Sequence, residues 1–554
     1  MLASSSAIPT SALTVGAIVA VFTNAGHPAK MMVTANSGGS ITLQFTTYAA
    51  TGGGGGGGGA PTITQIVNNS SSILVGFPGY GIAPSSLFAI KGSGLADPGD
   101  ATNHSSEGAG LQTTLNGASV SVTVSGTTTH PALYYATPSQ LSVVLPAATP
   151  LGTGTLTVTY KGVTSAPATI KVVPSAVGIN SYNGNFGVAT DAFTGALLTV
   201  TNSGTPGQTI TLWITGLGAD PADSDTTYTL TPHSVNTPLQ IYFGGILATI
   251  LYQGASTYPG VSIVNLTIPE SVPTGCFVPL AAVTGVVVSN VVTFPIHQGG
   301  GPCVDVRTGL TGAQLTPTGG QTLKTGLVAL IQTNDPKNGL ANVTDAAFEK
   351  YTGIYAPANS VSPGGCIVNL TPSTVGTIDG LDPGTITLTG PGGLAVTLGS
   401  QFGIKGAFFA LLGAGAIPSS GGTFTFKGSG GADVGSFTSA LTLSNPLITW
   451  TNQGAVASVD RTQGLTVAWT GGNPGTYVYI TGGAGTAGTT GSFTCLAPVD
   501  AGQFTVPSYI LLSLPAGNGS VGIQNIIFSP LSAAGLDIGS GTASIGQTAA
   551  ASYR

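Results

Sequence analysis

Apolar and polar residues alternate one for one through much of this chain. In Ser119-Val-Ser-Val-Thr-Val124, Thr155-Leu-Thr-Val-Thr-Tyr160 and Ile263-Val-Asn-Leu-Thr-Ile268 every second side chain is apolar. That pattern turns one face of a β-strand inward and leaves the other, carrying Thr, Ser and Asn, to water. The same alternation returns late in the chain at Leu447-Ile-Thr-Trp450, Leu465-Thr-Val-Ala-Trp469 and Tyr477-Val-Tyr-Ile480. Gly- and Pro-rich turn signals separate such segments at about 8 to 12 residues, the spacing of an antiparallel sandwich. The expected fold class is all-β: tandem immunoglobulin-like antiparallel β-sandwich domains with a small N-terminal β-meander.

Two of these sandwiches are copies of one another. Gly81-Ile-Ala-Pro-Ser-Ser-Leu-Phe-Ala-Ile-Lys-Gly-Ser-Gly-Leu-Ala-Asp-Pro98 is echoed by Gly204-Thr-Pro-Gly-Gln-Thr-Ile-Thr-Leu-Trp-Ile-Thr-Gly-Leu-Gly-Ala-Asp-Pro221. Further on, Leu133-Tyr134, Leu145-Pro146 and Pro150-Leu-Gly152 match Leu251-Tyr252, Ile268-Pro269 and Pro273-Thr-Gly275. From Pro98 to Pro221 the offset is 123 residues, which predicts sandwiches over 61–175 and 176–303. Ahead of them, Thr14–Thr23, Lys30–Ala35 and Ser40–Tyr48 read as three strands of an N-terminal β segment over 1–51, followed by a polyglycine linker over 52–60. Three strands are too few for a sizeable core. Beyond Val304 the chain divides into a β-rich domain over 304–445 and a C-terminal β domain over 446–554, with a helix expected at Asn342-Val-Thr-Asp-Ala-Ala-Phe-Glu-Lys350 behind a Thr344 cap.

Composition narrows the function. Charged residues are 5% of the chain and only Glu107, Glu270 and Glu349 are glutamates, against about 25% charge in ordinary soluble domains. Thr, Ser, Asn and Gln must therefore hydrate the surface. The net charge is −6 and the basic residues stand singly, as at Lys30, Lys91, Lys161, Arg307, Lys427 and Arg461, which disfavours nucleic acid and anionic membranes. The apolar runs Thr14–Thr23 and Gly406–Ile417 fall short of the about 18 residues that span a bilayer, so no membrane insertion is expected. The first thirty residues carry no basic stretch ahead of their apolar one and read as a strand, not a signal segment. Cys276, Cys303, Cys366 and Cys495 form an even set without a CxxC pair, which favours two disulfides, paired sequentially, and an oxidising compartment.

Several stretches together resemble large secreted acidobacterial proteins that carry the uncharacterised Solibacter-type C-terminal domain. They are the Gly-Ile-Ala-Pro block from Gly81, Leu133-Tyr-Tyr-Ala-Thr-Pro138, Gly216-Leu-Gly-Ala-Asp-Pro-Ala-Asp-Ser-Asp225, Ile250-Leu-Tyr-Gln-Gly254, Thr449-Trp-Thr-Asn452, Val467-Ala-Trp-Thr-Gly-Gly-Asn-Pro474 and Ala501-Gly-Gln-Phe-Thr-Val-Pro507. The resemblance covers most of the chain from about 61 onward. It implies IPT/TIG-type immunoglobulin-like sandwiches and export from the cell, and it carries no catalytic or binding residues.

Candidate chemistry is sparse. Most aspartates sit in turns, as in Asp97-Pro98 and Asp382-Pro383, and His27, His104, His130, His233 and His297 show no metal-ligand spacing. No Gly-x-Ser-x-Gly elbow is present. We therefore expect no enzyme, no catalytic residues and no organic cofactor. The densest polar cluster is Asp220, Asp223 and Asp225, three carboxylates within six residues, which suit calcium if a cation bridges them and otherwise form a solvated loop. Aromatics such as Tyr134, Tyr135, Trp213, Tyr252, Trp450, Trp469, Tyr477 and Tyr479 serve either a sandwich core or a sugar platform. The expected function is a secreted structural protein of the cell surface or an extracellular filament that self-associates. Its N-terminal strand, with Val15, Ala17, Val19 and Val21 on one face, would add to a sheet edge of a neighbouring copy. The alternative is a carbohydrate-binding or adhesive module with a polysaccharide partner.

Overall fold

The computed structural model describes residues 18–22, 28–37, 40–47 and 59–554, apart from 107–108, 183–184, 316–321, 353–359, 371–376 and 487. The chain is all-β and forms two compact units, 1–60 and 61–554. In the first, Ile18–Phe22, Pro28–Ser37 and Ser40–Thr47 make an antiparallel three-stranded sheet with Pro28–Ser37 in the middle. Val19 and Val21 lie on its first strand, whereas Val15, Ala17 and the glycines of the expected linker up to Gly58 lie outside the described residues.

The second unit begins with two sandwiches. In the first, the sheet Thr62–Asn68, Ser86–Ser93, Gln140–Leu145, Ala132–Ala136, Ala101–Thr102 faces a sheet built on Gly152–Tyr160 and Ala118–Val124. Alternate residues from both, among them Phe88, Ile90, Val120, Val122, Leu141, Val143, Leu156 and Val158, bury into one core. The second sandwich repeats the plan around Ile210, Leu212, Val264, Leu266, Leu280 and Phe294. The duplication is kept to the residue: Ser86 and Thr209 open equivalent strands, and so do Gly152 and Gly275. Gly152 (φ 132°) and Gly275 (φ 151°) share a backbone region that only glycine enters readily. A Cβ on Gly275 would also run into the Ser362 hydroxyl, while one on Gly152 would lie 3.5 Å from Val124 Cγ1.

The boundary expected near 445 does not exist. Thr322–Asp335 pairs in parallel with Ile538–Tyr553 through ten residue pairs, Thr325–Asn334 against Ile538–Gln547. An eleven-stranded sheet thus takes strands from both sides of 445, and one core holds residues from Val328 to Tyr553 together with Ala281 and Val291 of the second sandwich. Strand pairing is non-local, so a change in local texture marks no domain edge. The helix expected at Asn342–Lys350 is instead part of the strand Gly339–Thr352. Asn342, Thr344, Ala346 and Phe348 are its buried positions, and the hairpin with Thr322–Asp335 is closed by Asp335 Oδ1, which accepts from Lys337 N and Asn338 N. Period-two burial overrides the helix propensity of Ala-Ala-Phe-Glu-Lys.

The glycine pair gives a test by urea denaturation of the single variants. Gly152→Ala should cost about 1–3 kcal/mol from backbone strain, and Gly275→Ala should cost more because Ser362 must also move. Equal stability of wild type and both variants would contradict the assigned backbone.

Candidate functional surfaces

Residues 216–239, the long connection between the strands Thr209–Thr215 and Gln240–Phe243, hold the acidic cluster against the first sandwich. Asp220 N donates to Ser85 Oγ (3.0 Å), Ala147 N donates to Asp225 Oδ1 (3.0 Å), Leu111 N to Thr226 O (2.8 Å) and Tyr228 N to Ser105 O (3.0 Å). His233 inserts between the other two carboxylates, Nδ1 at 2.9 Å from Asp220 Oδ2 and Nε2 at 3.9 Å from Asp223 Oδ1. The ring is misaligned for hydrogen bonds to either, and both its nitrogens and Asp220 Oδ2 are buried without a hydrogen-bond partner. Of the three carboxylates expected to suit calcium, Asp220 and Asp223 flank His233 and Asp225 accepts from the Ala147 amide. Among the described residues no set of three or more His, Cys, Asp or Glu converges so as to hold a metal ion. The cluster is a polar latch between sandwiches, reinforced by Tyr134 Oη donating to Pro259 O (3.1 Å) and by Leu87 N donating to Gly260 O (3.1 Å).

The cysteines pair as Cys276–Cys303 and Cys366–Cys495. The second bridge joins directly opposed residues of adjacent strands and closes the longer loop, with a sequence separation of 129 residues. In a chain-entropy account the two constrain the unfolded chain by about 3.5 and about 5 kcal/mol.

Sequence reasoning passed over the joint between the second sandwich and the C-terminal body. Arg307 there is nearly fully buried, its guanidinium donating to both oxygens of Asp305 (3.0 and 3.1 Å) and to Tyr479 Oη (2.8 Å), with Phe277 below it at 5.8 Å. Tyr242 of the second sandwich also stacks on Tyr509, with ring centroids 4.7 Å apart. A lone Arg-Thr-Gly turn gives no hint of this, since Tyr479 lies 172 residues away.

Of the eight aromatics expected to form either a core or a platform, two are core and six are half-buried. Trp450 and Trp469 are buried, with indole N–H groups donating to Asn452 Oδ1 and Val499 O. Trp213 is half-buried against Tyr258, which meets Tyr228 edge-on at 77°; rings so inclined offer no flat surface to a polymer. Tyr477 and Tyr479 pack on a small cluster around Leu496.

The exposed apolar groups lie elsewhere. Strand Ala407–Leu412, Ala-Phe-Phe-Ala-Leu-Leu, packs Phe408, Ala410 and Leu412 on the core and leaves Leu411 77% exposed, with Phe402 and Ile404 exposed in the preceding loop. One side pairs with Asn342–Ala347. On the other side only Phe408 and Phe409 are paired, with Gly399–Ser400, so among the described residues no strand covers Ala410–Leu412. An apolar, uncharged open edge is what soluble β-proteins ordinarily blunt with charge. Among the described residues no helix is long and apolar enough to cross a membrane.

No family model matches the chain, and no curated protein matches it. Solved structures with similarity include a tetra-tandem repeat from the extending region of a large adhesion protein (11% identity, 89% of this chain and 100% of that one, TM-score 0.13). Domains 5–6 of the S-layer protein SbsC match at 16% identity over 43% of this chain and 98% of that one, TM-score 0.15. SGBP-B of a Bacteroides ovatus mixed-linkage glucan utilization locus, solved with a mixed-linkage heptasaccharide, matches at 12% identity over 82% and 97%, TM-score 0.13. Scores this low carry no functional argument.

Two outcomes follow from the buried charges. Arg307→Met should destabilise by about 3–5 kcal/mol by orphaning Asp305, with the double change Asp305→Leu/Arg307→Met less harmful than the single; chemical denaturation of both variants checks this. Burial pushes the Asp223 carboxyl up, the Ser224 amide offsetting part of the effect. A carboxyl raised in the folded state favours folding below its unfolded value of about 3.9 and loses that advantage as pH rises through the folded value. Asp223→Asn should therefore raise the melting temperature at pH 7 but not at pH 3.5, with no response to calcium or EDTA. A lowered value at pH 7, or a calcium-dependent rise in wild type, would favour a bridging cation instead.

Proposed function

We propose that this is a non-enzymatic extracellular protein of the cell surface, whose β-modules supply shape and contact and which associates with copies of itself. The observation that carries the reading is the open apolar edge Ala410–Leu412, with Leu411 exposed, in a chain with few charges to keep copies apart. The N-terminal unit offers a donor of matching character. Ile18-Val-Ala-Val-Phe22 is wholly apolar and pairs with Pro28–Met32, with no second strand beside it among the described residues. Addition of that strand to the Ala407–Leu412 edge of another copy is a heterologous contact. It propagates as an open chain unless its rotation closes a ring. Two disulfides support an oxidising location, and the resemblance to secreted acidobacterial proteins points the same way.

Sedimentation velocity and light scattering over a concentration series test this with the full chain, Leu411→Lys and a chain lacking residues 1–60. Leu411 is exposed, so its replacement leaves the core intact. The full chain should grow with concentration and both variants should stay monomeric. A full chain that stays monomeric throughout, or variants that associate like wild type, would refute the proposal.

A further inference from the structure

The second sandwich carries at one end a cleft of about 240 Å³, below the roughly 300 Å³ of drug-sized pockets and equal to about eight water volumes. It suits one small ring. Its walls are mixed and almost uncharged: polar Asp191, Thr194, Asn202, Ser203, Thr205 and Gln208 stand with apolar Ala196 and Leu198, closed by Gly300 and Gly301. Asp191 is the sole ionisable lining group. Hydrogen bonds from the Gln208 amide and from Thr194 hold its carboxyl down at about 2, so the cleft presents a carboxylate at any ordinary pH. With no cation among the lining residues, an anionic ligand would meet repulsion. With hydroxyls and amides on most sides, an apolar one would strand polar groups.

The lining is held in place by its own hydrogen bonds and still has capacity left over. Asp191 Oδ1 accepts from Phe193 N (3.0 Å), Thr194 N (2.7 Å) and Thr194 Oγ1 (2.8 Å), whereas Oδ2 accepts only from Gln208 Nε2 (2.8 Å). Gln208 Oε1 is in turn fixed by Thr205 N (2.9 Å). Asn202 Nδ2 gives one proton to Leu197 O (3.0 Å), which leaves its second N–H and its Oδ1 available. Ser203 Oγ donates to Gly301 O (2.6 Å) and keeps its lone pairs. An unused carboxylate site, an amide with both a donor and an acceptor free, and an accepting hydroxyl are the complement of neighbouring ring hydroxyls.

Phe193 stands between the lining residues Asp191 and Thr194 and is 86% exposed. The turn that carries it outward is fixed by the Asp191 caps and by Gly195 at φ 71°, whose N–H donates to Asp191 O. Leu197, also exposed, stands between the lining residues Ala196 and Leu198. An apolar ring beside a hydroxyl-matching cleft fits the two-sided chemistry of a pyranose, one face C–H and its edge O–H. We propose that this cleft is a binding site for one sugar unit of a neutral polysaccharide, gripped through Asp191 and Asn202 and covered on one face by Phe193.

Affinity electrophoresis and calorimetry of the full chain with mixed-linkage β-glucan, mannan, dextran and polygalacturonate test it, beside Phe193→Ala and Asn202→Ala. At least one of the three neutral polymers should bind and polygalacturonate should not. Phe193→Ala should weaken binding about two- to tenfold, the scale of one lost aromatic contact, with an unchanged melting temperature because Phe193 is outside the core. Asn202→Ala should weaken it too. Binding of none of the neutral polymers, equal binding of polygalacturonate, or full affinity in Phe193→Ala would overturn the site. Monomeric behaviour in scattering would sink self-association while leaving this site intact, so the two readings fail separately.

Discussion

Inter-strand backbone hydrogen bonding, with one apolar face held behind each ladder, bears nearly the whole structure. Other proteins supplement it with charged surfaces that repel neighbours and with helices that satisfy their own backbone. Here both are scarce: the α-helices among the described residues are Gly312–Leu315 and Ser508–Leu512. Every sheet must therefore find a second layer or a continuation. The sandwiches do so by facing their own second sheet, and the C-terminal body does so by drawing distant strands into one eleven-stranded sheet.

Exposed ion pairs such as Lys161–Asp97 and Lys405–Asp433 stay within one module, whereas two buried charge clusters fasten modules together. Asp305–Arg307–Tyr479 locks the second sandwich to the C-terminal body, and the Asp220–His233–Asp223 cluster lies where the two sandwiches meet. Both are buried, where a carboxylate or guanidinium is worth keeping only if its partner is in place. The first is fully hydrogen-bonded. The second is not, and Asp220 Oδ2 with both His233 nitrogens lacks aligned partners, which makes it the less firmly held of the two joints. Few charges remain for the outer surface, which is left to hydroxyls, amides and occasional exposed apolar groups such as Phe193, Phe402 and Leu411.

Those exposed groups are of two kinds, and the difference is physical. Leu411 belongs to a strand with an incomplete ladder, so its neighbourhood offers backbone hydrogen bonds as well as apolar area; that combination suits another strand. Phe193 belongs to a capped turn beside a small polar cleft, where there is no ladder to extend; that combination suits a small amphipathic ring. A surface poor in charge leaves both kinds exposed with few ions about them; in the cleft the Asp191 carboxylate is the ion that a bound ring would meet.

By itself the sequence determined whatever depends on neighbouring residues: which positions alternate into strands, the all-β class, and the repeat that sets Ser86 against Thr209 and Gly152 against Gly275. Those follow from the period-two geometry of a strand and from turn residues, both local. Tertiary structure alone decided the rest. It made a strand of Asn342–Lys350 in spite of local helix formers, joined Thr325–Asn334 to Ile538–Gln547 across the supposed boundary at 445, and set Asp225 against the Ala147 amide. It also buried Arg307 beside Tyr479 and gathered Asp191, Asn202 and Gln208 around one cleft. Sheet partners and side-chain clusters are chosen by contacts between residues far apart in the chain, and the pattern at either end of such a contact does not name the other.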